Sequence, residues 1–288
     1  MIELGFDPLL RVGELTLRWQ TIGVTVALLC AFAVAAVTAP VAVPPRAVPR
    51  RLDDLVLIMV GIVPGAVLGG RLVHGIGFLD TYAADPLRLL DPGVGSLSLL
   101  GAVLGGLVTA GYVARLIGAS IRHWADVAAV PLLIALGLGK LAQLLGGSGQ
   151  GLPFDGPWAV AFTGAGPWVS ANPQLPSHPA QVYEAMWLLL PVPLIALRPY
   201  ARRLWWLTRR RIPQDVDSGR TFLAVLAWFL LGRVLVGFVW RDSDVLGPLN
   251  VEQILALVAL VGTLTLAPRV IVGLTQRSPS PAAQEPRP

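Results

Sequence analysis

Seven long apolar stretches dominate the pattern of hydrophobic and polar positions along the chain. Each is close to the roughly 20 residues that a helix needs to cross the hydrocarbon core of a bilayer. The stretches run approximately over residues 19–39, 55–73, 97–117, 125–145, 181–197, 222–239 and 251–272. Gly and Pro inside them are compatible with this interpretation, because membrane helices admit both. The pattern predicts an all-α integral membrane protein with seven transmembrane helices.

The composition excludes a soluble domain. Hydrophobic residues make up 55% of the 288 positions and charged residues only 14%, whereas soluble domains carry roughly a quarter charged residues. The net charge of +5 comes from arginine, since Lys140 is the only lysine. The arginines lie in short loops between apolar stretches, so lipid phosphates are the expected partners. Nucleic acid is not expected, because the chain has no basic helix with interleaved aromatics.

The distribution of arginine predicts the orientation of the chain. With the N-terminus outside, the cytoplasmic segments hold fifteen arginines and the outer segments hold four, namely Arg11, Arg18, Arg88 and Arg241. Positive residues concentrate on the cytoplasmic side of membrane proteins, which places the N-terminus outside and the C-terminus in the cytoplasm. We expect one membrane domain over residues 1–274 and a disordered cytoplasmic tail over residues 275–288.

A long extracytoplasmic loop is predicted at about residues 147–179. The part from Ser148 to Pro179 contains no Lys or Arg and carries Trp158, Phe162 and Trp168. Such a loop either lies at the membrane interface, with its aromatic rings among the lipid headgroups, or is a solvated connector. In the third apolar stretch, Gly101, Gly105 and Gly106 are small residues that permit close helix packing.

Three cations fall within or at the ends of the apolar stretches: Arg71, Lys140 and Arg233. A cation in the membrane is costly unless it is paired or faces water, so each is a candidate functional residue. The alternative for Arg71 and Arg233 is that their side chains reach back to the interface. Because helix direction alternates, the ends of the second, fourth and sixth helices should meet on the outer side.

A polar segment opens the fifth predicted helix on this same side, with His178, Gln181, Tyr183 and Glu184. Cations and amides there would bind a phosphate, while His178 or Glu184 would accept a proton or pair with an arginine. His74 either joins this cluster or is an ordinary interfacial residue. No grouping of Asp, Glu and His has metal-ligand spacing. The sequence therefore predicts a phospholipid site in the outer leaflet, whether or not the protein is an enzyme.

The segment from Ser177 to Ala185, S-H-P-A-Q-V-Y-E-A, resembles the H-P-x-Q-x-Y-E-A motif of the prolipoprotein diacylglyceryl transferase family. Over roughly residues 15–270, further segments resemble that family's motifs in the same order: Gly69-Gly70-Arg71-Leu72 (family G-A-R-L), Asp85-Pro86-Leu87 (N-P-L), 95–101 (G-G-x-S-F-H-G), 139–153 (G-R-x-G-N-F-x-N-x-E-x-x-G-x-P), Gly232-Arg233 to Arg241 (R-x-x-x-E-F-x-R), and Gln253.

The resemblance implies an enzyme of the bacterial cytoplasmic membrane that needs no metal or cofactor. The family moves the diacylglyceryl group of phosphatidylglycerol to the thiol of the lipobox cysteine in a prolipoprotein and releases glycerol phosphate. The implied partners are therefore phosphatidylglycerol, or another anionic phospholipid, and a lipobox segment. Carried over by position, the implied catalytic residues are Lys140, Arg233, Glu184 and His178, and the implied substrate-binding residues are Arg71, Gln143, Gln181, Tyr183, Arg241 and Gln253.

The chain departs from the family's motifs at five polar positions. Leu100 replaces a histidine, Lys140 an arginine and Gln143 an asparagine, and Ser148 and Gly237 each stand where the family has a glutamate. The leucine removes a candidate base, and the two missing carboxylates should leave the arginines without partners and the site more positive. Two hypotheses follow: a transferase with a divergent active site, or a catalytically inactive or repurposed paralogue that binds anionic phospholipid or a lipoprotein. A transporter is disfavoured, because paired broken helices and internal repeats are absent from the sequence pattern.

Overall fold

The computed structural model describes residues 1–41, 52–83, 85–91, 97–197 and 219–275. Six helices are long: α1 Trp19–Val41, α2 Leu52–Gly77, α4 Leu99–Leu116, α5 Ile121–Leu144, α8 Arg220–Gly237 and α9 Val251–Thr275. The shorter helices are α3 Leu79–Tyr82, a 3-10 helix Pro86–Leu90, α6 Ala180–Leu189 and α7 Val192–Ala196. Of the tail predicted over residues 275–288, Thr275 is the last residue of α9 and the rest lies outside the described residues. The arginines between residues 42 and 51 and between 198 and 218 also lie outside them.

Each predicted apolar stretch coincides with helical structure. Five helices, α1, α2, α4, α5 and α8, are long and apolar enough to cross a membrane. The fifth predicted stretch differs in that it forms two helices, α6 and α7, with Pro191 at the junction. Proline has no backbone N–H and its ring clashes with the preceding helical turn, which accounts for the break at this point.

Four short strands add β-structure that the hydropathy pattern did not predict. Strand β1 (Ile2–Leu4) pairs in parallel with β4 (Val160–Phe162), with Glu3 opposite Ala161. Strand β2 (Leu9–Val12) pairs antiparallel with β3 (Leu15–Arg18). The first pairing ties the N-terminus to the long loop that precedes α6, so this loop is anchored to the rest of the protein.

Two apolar clusters hold the helices together. One lies where α4, α5, α6, α8 and α9 meet, and its fully buried members include Leu100, Leu133, Leu188 and Phe229. The other lies nearer the opposite end of the helices and joins α1, α2, α4 and α5 through small residues such as Ala35 together with Trp124. A cavity with polar walls lies beside the first cluster, at the C-terminal ends of α2, α5 and α8.

Helices α2 and α4 approach each other along glycines, as the small residues of α4 predicted. A Cβ atom on Gly105 would lie 2.1 Å from the carbonyl oxygen of Gly65, and a Cβ on Gly69 would lie 2.3 Å from that of Gly101. Real Cβ atoms do not approach a backbone oxygen this closely. These positions therefore require glycine for the two helices to pack as they do.

We expect Gly105→Ala to destabilise the protein by about 1–3 kcal/mol, because the new methyl group forces α2 and α4 apart. The matched control is Gly111→Ala on the same helix, where a Cβ would meet nothing within 4 Å. That control should be neutral or stabilising by up to about 1 kcal/mol, since alanine is the better helix former. The measurement is the thermal unfolding midpoint of each purified variant in one detergent. Equal midpoints for the two variants would contradict this account of the interface.

Candidate active site

A cavity of about 240 Å³ opens where the C-terminal ends of α2, α5 and α8 meet the first residues of α4 and α9. This is the convergence that the alternating helix directions predicted. Polar side chains from all of these elements line it: His74, Ser98, Lys140, Gln143, Arg233, Asp242, Ser243, Asn250 and Glu252. Arg233 and Lys140, two of the predicted catalytic residues, are therefore on the wall of one cavity.

Glu184 joins the two cations from behind the cavity. Its Oε2 atom lies 2.9 Å from Lys140 Nζ, and Arg233 Nη1 donates to both of its carboxylate oxygens at 2.8 and 2.9 Å. The three side chains are nearly inaccessible, with 5%, 1% and 7% exposed for Lys140, Glu184 and Arg233. Buried charges persist in a fold only when they are paired, so these residues fix one another's positions.

A second carboxylate, Glu252, pairs with Arg233 on the other edge of the guanidinium. Arg233 Nη2 contacts Glu252 Oε2, and Ser98 Oγ donates to Glu252 Oε1 at 2.6 Å. The expectation that Arg233 had lost its carboxylate partners is therefore wrong, because Glu252 supplies one from the first turn of α9. Sequence reasoning missed Glu252, since a glutamate at the start of a helix is ordinary.

The space beside Gly237, where the family's motif has its glutamate, is filled by Gln253. A Cβ on Gly237 would lie 2.4 Å from Gln253 Cγ. Gln253 is buried, exchanges hydrogen bonds with Asn250 at the start of α9, and donates through Nε2 to the carbonyl of Val234 at 3.0 Å. Gln253, predicted to bind substrate, thus docks α9 against α8 and sets the position of the neighbouring Glu252.

A stacked pair of tryptophans fixes α6, which carries Glu184, to α8, which carries Arg233. The rings of Trp187 and Trp228 lie 4.1 Å apart and within 9° of parallel. Each indole N–H donates to the other residue's backbone carbonyl, at 2.9 and 2.8 Å. The ion pair between Glu184 and Arg233 is therefore held by rigid packing about one turn away.

Trp240 covers the cations beyond the end of α8. Lys140 Nζ lies 4.5 Å from the centre of its ring, and the Arg233 guanidinium carbon lies 5.8 Å away, both within range of a cation–π interaction. Next to it, Gly149 has a φ of +82°, and a Cβ there would lie 3.1 to 3.2 Å from atoms of Gln143, Trp240 and Gln181. Glycine both permits this backbone conformation and leaves room for the three side chains.

Gln143 and Gln181 bring amide groups to this corner, in agreement with their predicted place in the site. Gln143 lines the cavity, whereas Gln181 is fully buried beside it. Within the described part of the chain, Gln143 Oε1 and both amide atoms of Gln181 have no hydrogen-bond partner. Buried amides are usually hydrogen-bonded, so these atoms are suited to contact a polar ligand.

His178 and Tyr183 lie in an aromatic cluster that holds the long loop against α6. His178 stacks on Phe154 with the ring centres 4.1 Å apart, and its Nδ1 lies 3.1 Å from Tyr183 Oη. Trp158 donates to the same hydroxyl at 2.7 Å. Among the described residues, neither His178 nor Tyr183 is part of the cavity lining.

The two other predicted arginines also lie outside the lining of the cavity. Arg241 donates through Nε to the carbonyl of Gly151 and through Nη2 to Ser177 Oγ, so it fastens both ends of the long loop. Partial burial lowers the pKa of its guanidinium from the ordinary value. Arg71 lies on α2 one turn before His74, which does line the cavity.

Two of the positions that depart from the family's motifs, Leu100 and Ser148, hold uncharged side chains. Leu100 is fully buried in the first apolar cluster, in the company of Leu133 and Phe229. Ser148 Oγ donates to Gln20 Oε1 at 3.1 Å. The charged groups on the described wall of the cavity are Lys140, Arg233, Asp242 and Glu252, with Glu184 behind the two cations and His74 as an imidazole on the wall.

Comparison with known proteins gives one consistent family. A family model described as "Prolipoprotein diacylglyceryl transferase" matches residues 8–268. A protein of Geobacter sulfurreducens is 29% identical over 268 residues, 91% of this chain and 94% of its own length, and one of Bordetella avium is 30% identical over 271 residues, 91% and 93%. A protein of Trichormus variabilis is 27% identical over 263 residues, 90% of this chain and 86% of its own. All three are named "Phosphatidylglycerol--prolipoprotein diacylglyceryl transferase".

Proposed function

The chain belongs to the prolipoprotein diacylglyceryl transferase family, and we propose that it transfers the diacylglyceryl group of phosphatidylglycerol to the lipobox cysteine thiol of prolipoproteins. One observation carries the proposal: the buried ion pairs that join Lys140, Glu184 and Arg233 on the wall of a cavity. Paired cations at this depth are expensive to maintain, and their position at the convergence of five helices is suited to binding a lipid phosphate.

Each site residue has a proposed part in the reaction. Arg233 and Lys140 bind the phosphate, and Glu184 positions them. The amide of Gln143, which lines the cavity, contacts the polar headgroup, and Gln181 is buried behind it. A carbon–sulfur bond forms as the carbon–oxygen bond to the phosphate breaks, and glycerol phosphate leaves with the electron pair, which the two cations stabilise.

The remaining predicted residues support the site from outside the cavity. His178 and Tyr183 hold the long loop against α6, Arg241 fastens the ends of that loop, Gln253 docks α9, and Arg71 lies beside His74 on α2. The thiol proton needs an acceptor. The predicted acceptors Glu184 and His178 are not part of the described cavity lining, whereas His74 is. We therefore assign the proton to His74.

His74→Gln tests this assignment. We expect the transfer rate to fall by about 10²-fold at neutral pH, because glutamine keeps hydrogen-bonding capacity but accepts no proton. Binding of phosphatidylglycerol should change by less than about twofold, since the phosphate ligands remain in place. Initial rates with a lipobox peptide check the first point. An unchanged rate in the folded variant would show that another group accepts the proton.

The proposed setting is a multi-pass protein of the bacterial cytoplasmic membrane, a single domain over residues 1–274 with seven membrane-crossing segments and the N-terminus outside. Five long apolar helices support this, together with two further apolar segments, Ala180–Ala196 and Val251–Leu266. The excess of arginine in the alternate loops of the sequence supports the orientation. In this orientation the cavity faces the outer leaflet, where lipobox segments emerge.

Depletion of the host's own diacylglyceryl transferase tests the function in cells. We expect expression of this chain to restore lipidated prolipoprotein, detected by its shift on a gel and by labelling with radioactive fatty acid. Arg233→Met should fail to restore it. If the wild-type protein is folded and inserted and still restores nothing, the transferase proposal is wrong.

Leu100 favours a second candidate function, a paralogue that binds anionic phospholipid or a lipoprotein without transferring the lipid. The residue stands where the family's motif has a histidine, and it is packed into the apolar core rather than facing the cavity. Two assays on the purified protein, lipid retention and modification of a lipobox peptide, distinguish the two functions. Retention of phosphatidylglycerol together with no modification of a lipobox peptide would establish the binding role.

A further inference from the structure

Glu252 occupies the side of Arg233 that faces the cavity. Both residues line the cavity, whereas Glu184, the other partner of the guanidinium, is not part of the described lining. The two carboxylates also differ in exposure: 22% of the Glu252 side chain is accessible, compared with 1% for Glu184. A ligand that binds Arg233 from the cavity therefore comes close to Glu252, which is the more exposed of the two carboxylates.

The surroundings of Glu252 hold it against Arg233. Ser98 Oγ donates to its Oε1 at 2.6 Å, and the Ser98 backbone N–H donates in turn to the carbonyl of Gly70. The paired hydrogen bonds between Asn250 and Gln253 fix the turn of α9 that carries Glu252. Gly237 leaves the space that Gln253 fills. The carboxylate is thus placed by three helices rather than by chance contact on a surface.

The hydrogen-bonding capacity of Arg233 is divided between the two carboxylates. Nη1 donates to Glu184 and Nη2 contacts Glu252. Displacing Glu184 would leave a buried carboxylate with Lys140 as its only cation, which is costly. Displacing Glu252 costs less, because its side chain already reaches the open cavity and keeps Ser98 as a partner. A phosphate that binds Arg233 will therefore take the place of Glu252.

We propose that Glu252 is a built-in competitor for the phosphate-binding edge of Arg233 and thereby sets how tightly the site holds an anionic phospholipid. The carboxylate pairs with Arg233 Nη2 when the site is empty of lipid and moves away from it when the phosphate binds. Glu252 is then a specificity-determining residue, since it lowers the affinity of weakly charged ligands, which cannot displace it from Arg233. The inference rests on the proposed function for the identity of the ligand as a lipid phosphate.

The test is the dissociation constant of short-chain dihexanoyl-phosphatidylglycerol, measured by calorimetry on the full-length protein in a neutral detergent. We expect Glu252→Gln to bind about tenfold more tightly than the wild type, because the amide no longer forms an ion pair with Arg233. Glu252→Ala provides a second variant and should also bind more tightly. Combining Glu252→Gln with Arg233→Met should abolish the gain, since the gain requires the guanidinium.

Asp244→Asn is the matched control, because Asp244 is an exposed carboxylate in the segment between α8 and α9 and is not part of the described cavity lining. It should leave the affinity within about twofold of the wild type, as expected for an exposed, screened charge. Equal or weaker binding by both folded Glu252 variants would overturn the proposal, and so would an equal gain in Asp244→Asn.

Transfer to a lipobox peptide, assayed on the same preparations, separates this inference from the proposed function. If the Glu252 variants bind more tightly while the wild type transfers nothing, the competitor role stands and the transferase function is wrong. If the wild type transfers lipid while the variants gain no affinity, the function stands and the competitor role is wrong.

Discussion

Replacing Arg233 by methionine is expected to reduce diacylglyceryl transfer by about 10³-fold or more, because the charge on the leaving phosphate loses its principal hydrogen-bond donor. Methionine has a similar length and an apolar side chain, so the loss reflects the guanidinium rather than an empty space. Arg233→Lys should retain only part of the activity, since an ammonium keeps the charge but not the two-pronged donor geometry. The measurement is the initial rate of transfer from labelled phosphatidylglycerol to a lipobox peptide.

The control for Arg233 is Arg88→Met, which removes an arginine whose side chain is 61% exposed. Its rate should stay within about twofold of the wild type, because an exposed, screened ion pair contributes little. If Arg88→Met and Arg233→Met lost transfer activity to the same extent, overall positive charge, and not the cavity, would determine the rate. An active Arg233→Met enzyme would remove Arg233 from the mechanism.

Glu184→Gln is expected to lower the free energy of unfolding by about 3–5 kcal/mol, because breaking a buried ion pair from one side leaves charges without compensation. Glu184 neutralises both Lys140 and Arg233, and the amide can neutralise neither. Removing Lys140, a cation that Glu184→Gln leaves without this carboxylate, should recover part of the lost free energy of unfolding. The double variant Lys140→Met with Glu184→Gln should therefore be more stable than Glu184→Gln alone.

Thermal and denaturant unfolding of the purified variants would measure this coupling as a double-mutant cycle. Asp85→Asn serves as the control, since it removes one partner of an exposed pair with Arg88 and should cost at most about 1 kcal/mol. A Glu184→Gln protein as stable as the wild type would show that the three buried charges do not depend on one another.

Most of the helices could be predicted from the apolar stretches, because a helix that crosses a bilayer needs about 20 residues and an apolar surface. The alternation of helix direction then brings Arg71, Lys140 and Arg233 to the same side, and the cost of burying charge identifies them as functional candidates. Lys140 and Arg233 are recognisable for this reason, and Glu184 is recognisable from the polar segment that opens the fifth predicted helix. The break at Pro191 was not, because proline is also tolerated within membrane helices.

The remaining parts of the site carry no comparable signal in the sequence. Glu252 and Ser98 lie at helix starts, where polar residues serve as ordinary caps, and Trp240 follows a helix end, where aromatics are common. The contacts of Glu252 with Arg233 and of Trp240 with Lys140 depend on how α5, α8 and α9 pack. The parallel pairing of β1 with β4 likewise joins segments far apart in the chain, so no local pattern predicts it.

Gly237 and Glu252 illustrate how a motif comparison alone gives the wrong number of carboxylates around Arg233. The family's glutamate is missing at Gly237, which suggested an arginine without a partner. The fold supplies a carboxylate to the same guanidinium from α9, and Gly237 makes room for the Gln253 side chain that docks this helix. The number of carboxylates around Arg233 is a property of the packed helices rather than of one segment.

The most direct test of the central claim is mass spectrometry of a synthetic lipobox peptide after incubation with the purified protein and dioleoyl-phosphatidylglycerol. The account predicts a peptide whose cysteine has gained one dioleoylglyceryl group, with an equal amount of glycerol phosphate released, and neither product with Arg233→Met. An unmodified peptide in the presence of folded protein that binds the lipid would contradict it.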